Sequence, residues 1–162
     1  PSENVVVSPK WKYADKNIFQ LDVQDDGAWT QARQEGVSSY ASWQPSRHYV
    51  HCGGSSGLSR VATYSNKTYD LTHYATYRVA AYESGTASNI TFIVGVSKTN
   101  TEFLRDVSTK TQKIAPGNDI WATIDYDITN LTGSYYLGFE IFSSVSYAAP
   151  FGSANLIGRV YE

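Results

Sequence analysis

Hydrophobic positions in this chain alternate with polar ones far more often than they recur at helical spacing. In residues 17–23, Phe19, Leu21 and Val23 share one face while Ile18, Gln20 and Asp22 share the other. In residues 90–96, Ile90, Phe92, Val94 and Val96 point one way. Residues 121–128 set Ala122, Ile124, Tyr126 and Ile128 against Trp121, Thr123, Asp125 and Asp127, and residues 135–142 align Tyr135, Leu137, Phe139 and Ile141. Further short strands are predicted over 5–7, 48–52, 59–64, 74–82, 103–107 and 155–161, each bounded by Gly, Ser, Asn, Pro or Asp clusters. No window of twelve residues keeps an i, i+3, i+4, i+7 apolar stripe, and residues 31–40, with Gly36 and two serines, read as loop. About ten short strands separated by turns predict an all-β fold, an antiparallel β-sandwich of the jelly-roll kind.

Two turns read alike. Asp70-Leu71-Thr72 leads into the 74–82 strand, and Asp127-Ile128-Thr129 leads through Leu131-Thr132-Gly133 into the 135–142 strand. In each, the Asp and Thr can bond nearby backbone amides while Leu71 or Ile128 caps the core.

Length and composition narrow the picture. The chain has 162 residues, enough for one domain (1–162) that buries roughly two thirds of the surface its unfolded chain exposes. Charged residues make up 17% and hydrophobic ones 41%, which argues against disorder. Thirteen Lys+Arg against fifteen Asp+Glu leave a net charge of -2 with no basic stripe, so nucleic acid is not an expected partner. No apolar run approaches the ~18 residues of a membrane span. There is no Met, so Pro1 reads as a processing site or an internal boundary, and the domain is expected to belong to a longer protein. A single cysteine, Cys52, allows no internal disulfide. Thirteen tyrosines and four tryptophans suit a β domain whose surface recognises ligands by stacking and hydroxyl hydrogen bonds.

One stretch of the chain resembles a known family. Y-D-L-T-H-Y-A-T-Y-R-V is followed by I-T-F-I-V-G-V-S-K-T, then I-D-Y-D-I-T-N-L-T-G-S-Y-Y-L-G-F-E-I-F, and the chain closes on R-V-Y-E. From about Ser59 to Glu162 this resembles the jelly-roll, galactose-binding-like carbohydrate-binding modules of tail and baseplate proteins from phages and prophages of Gram-positive bacteria. The first third matches only through the spacing of Trp11, Trp29 and Trp43. The block at 131–139 carries most of the likeness, and it is a turn and a core strand. The resemblance implies a non-catalytic module on the virion, acting extracellularly. Its partners would be host cell-wall or surface polysaccharide and other baseplate or tail proteins. Two alternatives stand beside it: a structural docking module within the baseplate, and a carbohydrate-binding module attached to a cell-wall or polysaccharide-degrading enzyme.

Saccharide recognition needs an aromatic face against the apolar side of a sugar ring, flanked by hydrogen-bonding groups. Trp29, Trp43, Trp121, Tyr147 and Phe151 lie in or beside loop-like sequence, and Arg47, His48, Arg105, Asn118 and Asp119 are suitable polar neighbours. Trp43, beside Gln44-Pro45-Ser46, and Tyr147 to Phe151, around Ala148-Ala149-Pro150, have the strongest loop character. The ligand-binding set is therefore Trp43, Arg47, His48, Trp29, Trp121, Tyr147 and Phe151, with core packing the competing reading for each aromatic.

Other motifs resolve to structure. Gly53-Gly54-Ser55-Ser56-Gly57 matches G-x-S-x-G but precedes a strand rather than a helix, so it reads as a turn. His48 and His51 would face opposite sides of one strand and cannot share an ion. Asp22, Asp25 and Asp26 precede Gly27 as in a calcium loop, but Arg33 occupies the twelfth position, which excludes an EF-hand. A different calcium site on those aspartates is the one metal option kept open, and no other cofactor is implied. Among carboxylate pairs for glycan hydrolysis, Glu102/Asp106 and Asp119/Asp125 stand no higher than others, so no catalytic residue is assigned.

Overall fold

The computed structural model describes residues 11–12, 20–22, 29–36, 41–44, 49–52, 58–83, 90–115, 117, 119–143 and 147–161. Within them the fold is an antiparallel β-sandwich of two six-stranded sheets. Sheet I runs in the order β10 (Lys110–Ile114), β9 (Thr91–Ser97), β12 (Ser134–Ser143), β6 (Ser59–Ser65) and β3 (Trp29–Gly36), with β7 (Tyr69–Asp70) on the first residues of β12. Sheet II runs β11 (Ala122–Asp127), β8 (Tyr74–Ala81), β13 (Tyr147–Gly158), β5 (Tyr49–Cys52) and β4 (Ala41–Gln44), and β2 (Gln20–Asp22) pairs the far half of β13. A ribbon of β1 (Trp11–Lys12) and β14 (Val160–Tyr161) brings the first and last described segments together.

The main core lies between the sheets. Tyr77, Val79 and Ala81 of β8, Phe92, Val94 and Val96 of β9, and Leu137, Phe139 and Ile141 of β12 all meet there, as their spacing of two requires. Phe139 stacks on Phe151 at 4.7 Å, and Trp29 meets Phe151 edge-on at 5.0 Å. The paired turns form as their sequences suggest. Thr72 donates its backbone N–H to Asp70 Oδ1 at 3.0 Å, Thr129 donates likewise to Asp127 Oδ1 at 2.9 Å, and Leu71 and Ile128 are fully buried.

Sheet I carries a second, smaller apolar cluster on its other face, around the buried Glu140, which is why β9 reads as a nearly continuous hydrophobic run. A strap, residues 98–109, with a 3-10 turn at Leu104–Asp106, lays Phe103 and Leu104 on Ala62, Tyr64 and Ile93. Gly95 and Gly138 face each other in register beneath it. A Cβ on Gly138 would come within 2.9 Å of Leu104 and Tyr64 side-chain atoms, so the strap seats only against glycine there. Tyr64 donates its hydroxyl to the Glu102 carbonyl at 2.9 Å, and the Leu104 N–H donates to Glu140 Oε1 at 2.6 Å. The Arg60 guanidinium sits 4.1 Å over the Phe103 ring.

Four sequence expectations change. Residues 103–107 are strap rather than strand, because Phe103 and Leu104 bury together against one sheet face. Residues 31–40 contain most of β3, an edge strand whose Arg33, Gln34 and Glu35 are exposed, so its ladder with β6 forms without an apolar alternation. Ala148, Ala149 and Pro150 belong to β13, not to a loop. Pro150 falls where β13 ends its pairing with β5 and begins pairing with β8 at Phe151, a position that tolerates a missing N–H. Trp43 likewise stands in a strand, β4.

Candidate functional site

The outer faces of the two sheets differ. That of sheet I is roofed by the strap, leaving a recess of about 220 Å³ among Thr91, Ile93, Arg105, Gln112 and Phe142. That is smaller than the roughly 300–1,000 Å³ of common small-molecule pockets.

The outer face of sheet II is exposed along β11 and partly exposed along β8 and residues 152–155 of β13, while Ile157 is buried. β8 buries Ala75, Tyr77, Val79 and Ala81 and turns Thr76, Arg78 and Ala80 outward, and β11 turns Thr123, Asp125 and Asp127 outward. Register arranges these in rows: Ala80 beside Thr123 and Ser153, then Arg78 beside Asp125 and Asn155, then Thr76 beside Asp127 and Ile157. Arg78 grips Asp125 with two bonds, Nε to Oδ1 at 2.7 Å and Nη2 to Oδ2 at 2.9 Å. Their side chains are 37% and 45% exposed, so the pair adds only about 0–1 kcal/mol to stability. Its main effect is to hold a fixed fork of donors and acceptors at the surface.

At one end of the rows, Tyr82 and Trp121 flank the final Ala81–Ala122 rung of the β8–β11 ladder. Their ring centroids are 4.5 Å apart and the planes are tilted by 59°. Trp121 is 53% exposed. Gly152 of β13 makes this placement feasible, because a Cβ there would fall among the atoms of the Trp121 ring. The indole therefore rests over a bare stretch of β13 backbone, beside the polar rows. An exposed indole braced by a second ring, next to fixed hydrogen-bonding groups, is the chemistry that sugar recognition uses.

The residues nominated from sequence separate. Trp29 (3% exposed) and Phe151 (0%) are corrected to core: they pack on each other between the sheets, and no ligand can reach either ring. Trp121 is exposed and forms the platform. Trp43 and Tyr147 stand on β4 and β13 of the same sheet, paired in register with Val50 and Cys52, while their side chains lie outside the described residues. Arg47, His48, Asn118, the 53–57 turn and the Asp25–Asp26 segment also lie outside them. Of the carboxylates considered for hydrolysis, Asp125 is held by Arg78. Tyr82, Arg78 and Asn155 were not singled out from sequence. Their signal was present in the outward positions of 74–82, but only register shows which residues of β11 and β13 stand beside them.

No family model matches the sequence, and no curated protein does. Solved structures share the fold. The glycoside hydrolase domain of Endo-D from Streptococcus pneumoniae R6 superposes with a TM-score of 0.53 at 17% identity, over 80% of this chain and 21% of that one. The enzymatically active domain of tailspike protein 4 from bacteriophage CBA120 gives 0.51 at 10% identity, over 83% of this chain and 20% of that one. This chain thus spans about one fifth of each. A mutant of a family 29 carbohydrate-binding module gives 0.48 at 9% identity, over 85% of this chain and 90% of that one. At these identities the two matches above 0.5 establish a common β-sandwich architecture.

Proposed function

We propose that this domain is a non-catalytic saccharide-binding module whose binding surface is the outer face of sheet II. The observation that carries the reading is the exposed Trp121 ring over Gly152, packed on the half-buried Tyr82 and set beside the Arg78–Asp125 fork and Asn155. A sugar ring stacks on the indole while its hydroxyls meet the polar rows. Trp121, 53% exposed, offers its ring to a polysaccharide chain lying across this face. Trp43, Arg47, His48 and Tyr147 are proposed as further ligand contacts on sequence grounds alone.

The non-catalytic assignment is supported by Asp125, whose carboxylate both oxygens commit to Arg78 beside the platform. We further propose that the domain is one part of a longer phage tail or baseplate protein, with host cell-wall polysaccharide as its ligand. Support comes from the family resemblance of residues 59–162 and from the phage tailspike that carries this fold as a fifth of its length. A module attached to a polysaccharide-degrading enzyme is the second reading, favoured by the same proportion in a glycoside hydrolase chain. Both assign the same role to this domain.

The test is equilibrium binding of the purified domain to cell-wall polysaccharides, with release of reducing sugar followed in parallel. Saturable binding without release is expected, and W121A should lose it while keeping its fold. Sugar release, or unchanged binding by W121A, would overturn the proposal.

A further inference from the structure

Register and the strap together build the recess on the outer face of sheet I. Gln112 of β10 stands beside Ile93 of β9 on one rung, and Thr91 of β9 stands beside Phe142 of β12 on the next rung of the same face. Arg105 joins them from the strap, its guanidinium 5.6 Å from the centre of the Phe142 ring. The backbone on either side of Arg105 is anchored. Leu104 is fully buried and donates its N–H to Glu140, while Asp106 and Val107 donate theirs to the Phe103 and Leu104 carbonyls at 3.0 and 3.1 Å. The Arg105 side chain is 45% exposed, and its salt-bridge partner Asp106 stays 3.8 Å from Nε, too far for a hydrogen bond. Its guanidinium therefore makes no hydrogen bond among the described residues. Of the other carboxylates on this face, Glu35 is bound by Arg60 at 2.7 Å and Glu140 is buried against the strap.

We propose that this recess is a second ligand site, separate from the Trp121 platform, that takes one sugar unit bearing a carboxylate or phosphate group. A volume of about 220 Å³ suits a single ring rather than a chain. The Arg105 fork presents paired N–H donors that match two oxygens of either anion. Ile93 and Phe142 offer apolar surface to the C–H face of the ring, and Thr91 and Gln112 supply a hydroxyl and an amide for its hydroxyl groups. The site stands on the geometry of sheet I and does not require the platform on sheet II.

The experiment is a titration of the isotope-labelled domain with glucuronate, glucose phosphate and uncharged glucose, followed by amide chemical shifts. Saturable shifts centred on Thr91, Arg105 and Gln112 are expected with at least one of the two anions, and glucose should bind at least tenfold more weakly. The tighter of the two anions assigns the acidic group, and either result sustains the site. R105A should weaken anion binding at least tenfold while its Tm stays within about 2 °C of the wild type, because the side chain is exposed. W121A should bind the anion as the wild type does. No saturable shift with either anion, glucose bound as tightly as they are, or unchanged affinity in R105A would overturn the proposal. Loss of anion binding in W121A would overturn it as well, by placing the anion on sheet II. Anion binding that depends on Arg105, in a domain whose polysaccharide binding ignores W121A, would sustain this site and overturn only the platform reading.

Discussion

Trp121 owes its position to Gly152. Replacing Gly152 by Val should push the indole off β13 and reduce saccharide affinity by about tenfold or more, since a stacked aromatic is the type of anchor that dominates binding. The cost to folding should be small because Gly152 is itself exposed. W121A should lose binding for about 1 kcal/mol of stability, the order of one aromatic pair. Trp29→Ala and Phe151→Ala should behave in the opposite way. Each empties a buried site and should cost about 3–5 kcal/mol in a denaturant titration, with the surviving fold binding sugar normally. In the sequence nothing local tells these aromatics apart: each has a small or polar residue on at least one side. The β-bulge between Phe151 and Ser153 leaves Phe151 inside and Gly152 outside under Trp121.

Among the elements, the strap over sheet I depends on Glu140. Its carboxyl is pushed up to about 7, chiefly by burial, against the pull of the Leu104 N–H, the Arg60 charge and the Arg105 N–H. The folded state therefore holds this proton more tightly than the unfolded chain does. The corresponding stability is fully present below the ordinary carboxyl value near 4.5 and is lost as pH rises through about 7. Thermal unfolding measured across that window should show a falling Tm, and E140Q should flatten the dependence while its amide oxygen still accepts from Leu104. A Tm that rises through the same window would refute the assignment. The strap itself was legible in sequence only as an apolar segment. Phe103 and Val107 suggested a strand because nothing local shows that Phe103 and Leu104 share one target.

Over the whole molecule, sheet neighbours are remote in sequence: β12 lies between β6 and β9, and β13 between β8 and β5. Closing such loops before any contact rewards them makes folding slow, so a single refolding phase of milliseconds to seconds is expected in stopped-flow. The same arrangement gives the two sheets different fates. The strap spends one outer face of sheet I on packing, while the outer face of sheet II keeps its aromatic pair and polar rows in solvent.

The sequence by itself determined the fold class, most of the strands and both Asp–Thr turns. Those signals are local: a period of two along a strand, and side chains that bond amides two residues away. Only the tertiary structure decided which tryptophan is a surface and which is core. It also decided that Arg78 meets Asp125. Those facts depend on register and on which sheet face another segment covers, and both are set between strands tens of residues apart.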